Sequence, residues 1–381
     1  MLPLSGVKVI EFCQVAAGPF CGMLLADMGA DVVKVEPLEG DMLRQWPPIS
    51  SGFSENFASL NRNKQSVALD LKSPEGRDAA RRLILSADGV IENNRPGVMD
   101  RLGLGYASFK AEKPGLIYCS ISAYGQTGPR SGEGGFDVTV QGMSGIMSVT
   151  GEAGGAPVKA GVPVSDFSAG LYAAFSFASL VAQVRAGGEG AHIDVSMLGA
   201  SLAIGALQTS EYFGTGRDPV KLGSAHPRNA PYQAYPAADG YFVVAAGNNK
   251  LWHGVCDVIA RPDLAADARF ATTADRARNQ LELAELLKPE FARFTVADIL
   301  ARLAGAGVPC GPINSYSQAL ADPQVEHMGW IKPIDLPGGT HTRTFGSPIR
   351  IGEIDPPIRR NPPALGEHTA AILAELAEKG Q

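Results

Sequence analysis

Little in this chain invites a redox, metal or nucleotide reading. Among 381 residues there are five cysteines, Cys13, Cys21, Cys119, Cys256 and Cys310, with no C-x-x-C pair. They are too few and too dispersed for a disulfide framework, so a reduced, cytoplasmic setting is expected. The six histidines show no i, i+4 pairing and no cysteine partners, and no metal site is expected. After the first apolar strand the chain reads Cys13-Gln14-Val15-Ala16-Ala17-Gly18-Pro19, without the G-x-G-x-x-G that holds a dinucleotide pyrophosphate. G-x-x-x-x-G-K-[ST] and G-x-S-x-G are missing too, which removes the main signals for nucleotide hydrolysis and for a serine hydrolase.

Charge is also scarce. Asp, Glu, Lys and Arg make up 19% of the chain, and 33 basic residues against 39 acidic ones leave a formal charge of −6. That balance argues against nucleic acid or an anionic membrane as partner, and any anionic ligand must be held by local bases. No basic segment precedes an apolar one at the start of the chain, so no signal peptide is expected. From Phe167 to Val184 no charge occurs for 18 residues, the lower limit of a membrane span. Because Ser168, Gly170, Ser176, Ser179 and Gln183 interrupt it, it reads as a helix buried in a soluble core.

What is plentiful is glycine, 45 residues, and proline, 27, spread without a repeat as in a compact protein with many tight turns. Val7 to Glu11, Phe20 to Met28 and Asp31 to Glu36 form a strand–helix–strand unit. Ser73, Pro74 and Glu75 open a further helix, and Gly89 to Glu92 and Leu116 to Ser120 read as buried strands. The alternation predicts an α/β fold around a parallel sheet. Beyond a polar stretch near 214–227, two strands flank Ala238-Asp239-Gly240, a hairpin signal, and helices follow over 250–260, 278–294 and 296–305. The expected organisation is a large domain over 1–215, a smaller one over 216–325, and a segment, 326–381, returning to the first and closing with a helix from Glu367 to Lys379.

The few charges in the middle of the chain are Asp137, Glu152, Lys159, Asp166, Arg185, Glu189 and Asp194. Asp166 stands out because it immediately precedes the uncharged helix. One reading is an N-cap, its carboxylate accepting from unsatisfied helix N–H groups. The other is a nucleophile: a desolvated carboxylate aimed at a thioester can take the acyl group as a mixed anhydride and conserve its activation without ATP or metal.

The segments GVKVIEFCQVAAGPF, ADMGADVVKVE, NRNKQSVALDLKSPEGR, VIENNRPGVMDRLGLGY, GGFDVTVQGMSG, DFSAGLYAA and GVPCGPINSYSQALADPQV resemble, in order and spacing, the class III coenzyme A transferases. That group includes formyl-CoA transferase and shares its fold with α-methylacyl-CoA racemase. The resemblance implies a Rossmann-like large domain with a parallel sheet, a smaller α+β domain, and an interlocked homodimer with its active site shared between protomers. It implies no permanently bound cofactor: a coenzyme A thioester is substrate, and a carboxylic acid accepts the CoA. Asp166 is then the nucleophile and Asp137 its support. CoA is expected against Ala16 and Ala17, Leu69 to Lys72, Asn93, Asn94, Arg95 and Arg101. Relatives often carry an Arg where this chain has Pro37 and Leu38, and Arg44 is the expected substitute. Phe136 stands where racemases carry a His, which disfavours two-base proton transfer. His226 and Arg228, in the loop 223–232, match relatives acting on small dicarboxylates and are expected to bind a distal carboxylate. A 2-methylacyl-CoA epimerase and a non-catalytic acyl-CoA-binding protein are the alternatives.

Overall fold

The computed structural model describes residues 1–378, so Lys379, the expected end of the last helix, lies outside the described residues. The chain forms two compact units. One comprises Met1–Ile146, Lys159–Arg217 and the chain from Pro323 onward; the other comprises Met147–Val158 and Asp218–Asp322. The excursion at 147–158 is one that a single boundary near 216 does not separate.

The larger unit is built on six strands: β1 (Lys8–Phe12), β2 (Asp31–Glu36), β3 (Lys64–Ala68), β4 (Gly89–Glu92), β5 (Ile117–Ser122) and β6 (His192–Ser196). All neighbours pair in parallel, in the order β3-β2-β1-β4-β5-β6. This is the doubly wound order, whose direction reverses between β1 and β4. Successive side chains alternate between two cores because the strand period is two. Val9, Ile91, Cys119 and Ile121 face one core, which also contains helices α1 (Ala17–Asp27) and α4 (Val164–Arg185). Ile10, Val33, Val35, Val67 and Tyr118 face the other, against α2 (Pro74–Leu85) and the terminal helix α9 (Thr369–Glu378). Burial on both faces is why β4 and β5 do not alternate apolar with exposed polar residues, whereas β6 at the sheet edge is largely exposed. Two further helices, α3 (Asp137–Met143) and α5 (Met197–Ile204), pack against α4 and against each other.

Helix α4 is long and apolar enough, by length and composition, to cross a membrane. In the fold it is buried on one face only, which corrects the expectation of a helix enclosed by core. Ala169, Ala173, Phe177 and Val181 are covered, while Leu171, Tyr172 and Phe175 are exposed, Phe175 at 73%. The sheet and α1 cover one side, and on the other Leu171, Tyr172 and Phe175 are left exposed among the described residues.

The smaller unit has an antiparallel sheet of β7 (Tyr232–Ala237), β8 (Gly240–Ala245) and β9 (Cys310–Pro312), in the order β9-β8-β7. It packs with α6 (Asn249–Val258), α7 (Gln280–Phe291) and α8 (Val296–Gly305) around Trp252, Phe242, Phe291 and Leu303. The single helix expected over 278–294 is two, because a turn capped by Thr272 ends at Arg278 and α7 starts afresh at Gln280. A hairpin of β10 (Ile331–Leu336) and β11 (Thr340–Phe345) belongs to the larger unit.

Beneath the end of β1 lies a buried ion cluster. Lys34 Nζ contacts Glu11 Oε1 at 3.0 Å and Asp41 Oδ2 at 2.9 Å and donates to the Cys13 carbonyl at 2.6 Å. Lys64 Nζ lies 2.8 Å from the other Glu11 oxygen and donates to Pro19 O and Asn61 Oδ1. Burial alone would lower the Lys34 pKa, but Glu11 and Asp41 outweigh it and hold the ammonium above its ordinary value. Removing one member strands the rest as uncompensated buried charge. Lys34→Met is expected to destabilise the protein by about 3–5 kcal/mol in urea unfolding, whereas Lys288→Ala, in an exposed pair with Glu285, is expected to change it by less than about 1 kcal/mol.

Candidate active site

Helix α4 begins without a cap of its own. Its N-cap position is Pro163, which makes no side-chain bond to the first turn. The missing acceptor comes from α3: Asp137 Oδ1 accepts from the Ser165 N–H at 2.9 Å and the Asp166 N–H at 3.4 Å, and Gln141 Nε2 donates to Oδ2 at 2.6 Å. Gln141 Oε1 in turn accepts from the Ala160 N–H. Asp137 therefore does the capping, and the N-cap reading of Asp166 is corrected. Asp166 sits within the first turn, and no hydrogen bond reaches its carboxylate among the described residues. Burial, and then the charge of Asp137, push its pKa up to about 7. The turn is seated on α1 by Phe167, whose ring centroid lies 4.6 Å from that of Phe20, and by Gly170, where a Cβ would stand 2.8 Å from the Ala17 carbonyl.

Asp166 opens onto a cavity of about 440 Å³ at the carboxyl ends of β1, β4 and β5, lined also by Gln14 to Ala17, Asn93 to Pro96 and Gly134 to Phe136. This is the crevice where the strand order reverses, the ligand position of doubly wound folds. Two asparagines staple it: the Gln14 N–H donates to Asn93 Oδ1 and Asn93 Nδ2 to Gln14 O, both at 2.9 Å, while Asn94 Nδ2 donates to Phe12 O at 3.2 Å. Their amide groups are thus engaged with the main chain of the β1 loop. Val15 in that loop has φ +67°, a strained conformation for a β-branched residue. Its N–H donates to Asp41 Oδ1 at 3.0 Å, so the buried ion cluster holds the loop in shape. Helix α1 starts from this loop with no side-chain cap and no acidic residue in its first turn, leaving its positive end unshielded beside Ala16 and Ala17.

A second cavity, of about 480 Å³, shares Gln14 and Asn94 with the first and is lined by Leu69, Asp70, Leu71, Lys72, Pro37, Leu38 and Arg101. The expected residues Ala16, Ala17, Asn93, Arg95, Phe136 and Asp166 thus gather in one cavity, Leu69, Lys72 and Arg101 in its neighbour, and Asn94 in both. Lys72, Arg95 and Arg101 are exposed, and their side chains make no ion pair among the described residues.

The sequence pattern of CoA-transferase family III matches residues 4–369. The chain belongs to CoA-transferase family III. It is 41% identical to the succinate–glutarate CoA-transferase of Agrobacterium fabrum, over 98% of this chain and 96% of that protein. It is 37% identical to the human succinyl-CoA:glutarate CoA-transferase, over 98% and 86%. A crystal structure of a CAIB/BAIF family protein from Brucella suis superposes with a TM-score of 0.86 at 41% identity, covering 98% of this chain and 99% of that one.

Within this family III transferase, Arg44 is not the expected substitute on the CoA cavity. Its guanidinium grips Glu36 with two bonds of 2.7 Å, donates to Pro363 O, and stacks 3.7 Å from the Phe57 ring centroid. Glu36, at the end of β2, takes it first. His226 and Arg228 lie in the smaller unit, where the Arg228 N–H donates to His226 Nδ1 at 3.1 Å and the imidazole packs at a tilt against Tyr232. Burial and the Arg228 charge lower the His226 pKa. Sequence reasoning did not single out Gln14, Val15, Met42, Ser122 or Met197 for the cavity wall. The strain at Val15 had no local signal, since it is imposed by Asp41 from another loop.

The raised Asp166 pKa has a stability consequence with a definite sign. Below the ordinary 3.8 both folded and unfolded chains hold the proton. Between 3.8 and about 7 the unfolded chain releases it first, so stability falls as pH rises through that window and stays lower above it. Asp166→Asn is therefore expected to raise the unfolding free energy at pH 8 by up to about 4 kcal/mol and to leave it nearly unchanged at pH 3.5, measured as the variant-minus-native difference in denaturant titrations.

Proposed function

We propose that this transferase moves CoA between succinyl-CoA and another short dicarboxylic acid, with Asp166 as covalent relay. Transfer of CoA from an acyl-CoA thioester to a carboxylate follows from family membership. The choice of donor and acid is supported by the names of the relatives, and the relay by one observation: a half-buried carboxylate with no hydrogen-bond partner among the described residues, at the wall of the switch-point cavity. Such a group is more basic than a hydrated carboxylate and less encumbered, both of which favour nucleophilic attack.

The sequence of steps conserves charge without moving a proton. The Asp166 carboxylate attacks the thioester carbonyl, the C–S bond breaks, and CoA thiolate leaves a mixed anhydride. The thiolate then attacks the aspartyl carbonyl, releasing the first acid and leaving an aspartyl thioester. The second acid attacks that thioester to give a new anhydride, and the thiolate attacks its acyl carbonyl, freeing Asp166 and the new acyl-CoA. Asp137 positions the nucleophile by anchoring the turn that carries it. The unshielded start of α1 supplies a positive field for the thiolate and for oxyanions. Among the described residues no His or Lys lines the Asp166 cavity, and its other carboxylate, Glu133, is paired with Arg130, so nothing there supports the two-base chemistry of the epimerase alternative.

The free Lys72 and Arg101 support a polyanionic CoA end in the neighbouring cavity. The exposed apolar residues Leu171, Tyr172, Phe175, Leu207 and Phe213 support a homodimer that covers them, and five free thiols fit a reducing, cytoplasmic setting. With succinyl-CoA as donor and a panel of acids as acceptors, transfer to dicarboxylic acids is expected and Asp166→Ala is expected to lower kcat by at least about 10³-fold. Undiminished transfer by Asp166→Ala, or transfer to no dicarboxylic acid, contradicts the reading.

A further inference from the structure

The cations of the substrate crevice are divided between its two cavities. Lys72 and Arg101 line the one built on Leu69 and Leu71, whereas Arg95 is the one positive side chain, among the described residues, lining the cavity that holds Asp166. The other acidic group on that wall, Glu133, is engaged by Arg130 at 2.9 Å. Arg95 makes no ion pair or side-chain hydrogen bond among the described residues. Its guanidinium lies across Gly134, where a Cβ would come within 2.7 Å of a terminal nitrogen, so the bare main chain at 134 gives the guanidinium room to lie flat on the cavity wall.

A short dicarboxylic acid poses a specific electrostatic problem there. When one end is the reacting acyl group, the other end carries a full negative charge into a cavity already holding Asp166, with Asp137 behind it. Without a counter-charge, binding is opposed by repulsion and by loss of water from the carboxylate. A guanidinium fork matches a carboxylate bidentately, and the cavity offers one. We propose that Arg95, rather than the His226 and Arg228 expected from the resemblance, is the specificity determinant that holds the distal carboxylate of the dicarboxylic substrate, and that the CoA phosphates fall to Lys72 and Arg101. The inference rests on the dicarboxylate reading above and adds the residue that enforces it.

The test compares acids and CoA separately. In Arg95→Ala, kcat/KM for glutarate relative to the equally long monocarboxylate pentanoate is expected to fall by at least about tenfold, with the glutarate KM rising. The dissociation constant of free CoA, by calorimetry, should change by less than about twofold. Arg95→Lys, which keeps the charge but not the fork, is expected to fall between. Arg95→Glu is expected to prefer 5-aminopentanoate to glutarate. Lys72→Ala should give the converse pattern, weaker CoA binding with the acid preference intact. Weakened CoA binding in Arg95→Ala with unaltered acid preference would assign Arg95 to the phosphates and overturn the proposal, as would unaltered preference with CoA binding intact. If the unmodified enzyme already fails to use any dicarboxylic acid, the dicarboxylate reading falls, and with it this role for Arg95, before a variant is made.

Discussion

The contact on which the active centre depends is the grip of Asp137 on the first turn of helix α4. That helix starts at a proline and brings no cap of its own, so an acceptor must come from elsewhere. Because Asp137 takes the exposed N–H groups, Asp166 does not have to. One carboxylate is bound up in structure so that the next can stay uncommitted. The charge of the first also makes the second harder to ionise. Asp137 thus both places the turn that carries Asp166 and adds to the burial that raises its pKa.

The opposite wall is fixed by a different use of charge. The Glu11–Lys34–Asp41–Lys64 cluster is buried and electrically balanced, and its outward hydrogen bonds reach the Cys13 carbonyl and the Val15 N–H. It stands where a dinucleotide-binding fold would use glycines to shape the same loop. The low overall charge content therefore understates its importance. Charges are concentrated under the first loop, where they set backbone shape, and around the crevice, where Lys72, Arg95 and Arg101 make no ion pair among the described residues.

The parallel sheet was legible from its strand–helix alternation, and helix 296–305 matched to the residue because Thr295 caps it and its apolar face is periodic. Asp166 was conspicuous for being charged where little else is. What sequence could not supply was tertiary. The cap for α4 lies 29 residues upstream of Asp166 on another helix, so local pattern suggested self-capping instead. Arg44 looked available for CoA because its capture by Glu36 depends on how the turn after β2 folds back. The asparagines after β4 looked like ligands, and their amides are staples holding two loops together. The exposed face of α4 reads as apolar either way, and only the fold shows which side is covered.

The central claim is that the carboxyl oxygens of Asp166 take part in the reaction. The direct measurement is isotopic: turnover of succinyl-CoA with an acid carrying ¹⁸O in its carboxylates, followed by mass spectrometry of the peptide containing Asp166. In the proposed sequence the first acid departs with one Asp166 oxygen and the second leaves one of its own behind when the thiolate takes its acyl group, so that peptide should gain ¹⁸O at Asp166 within the first few turnovers, up to two atoms per carboxyl group. Sustained CoA transfer with no label at Asp166 would contradict the account.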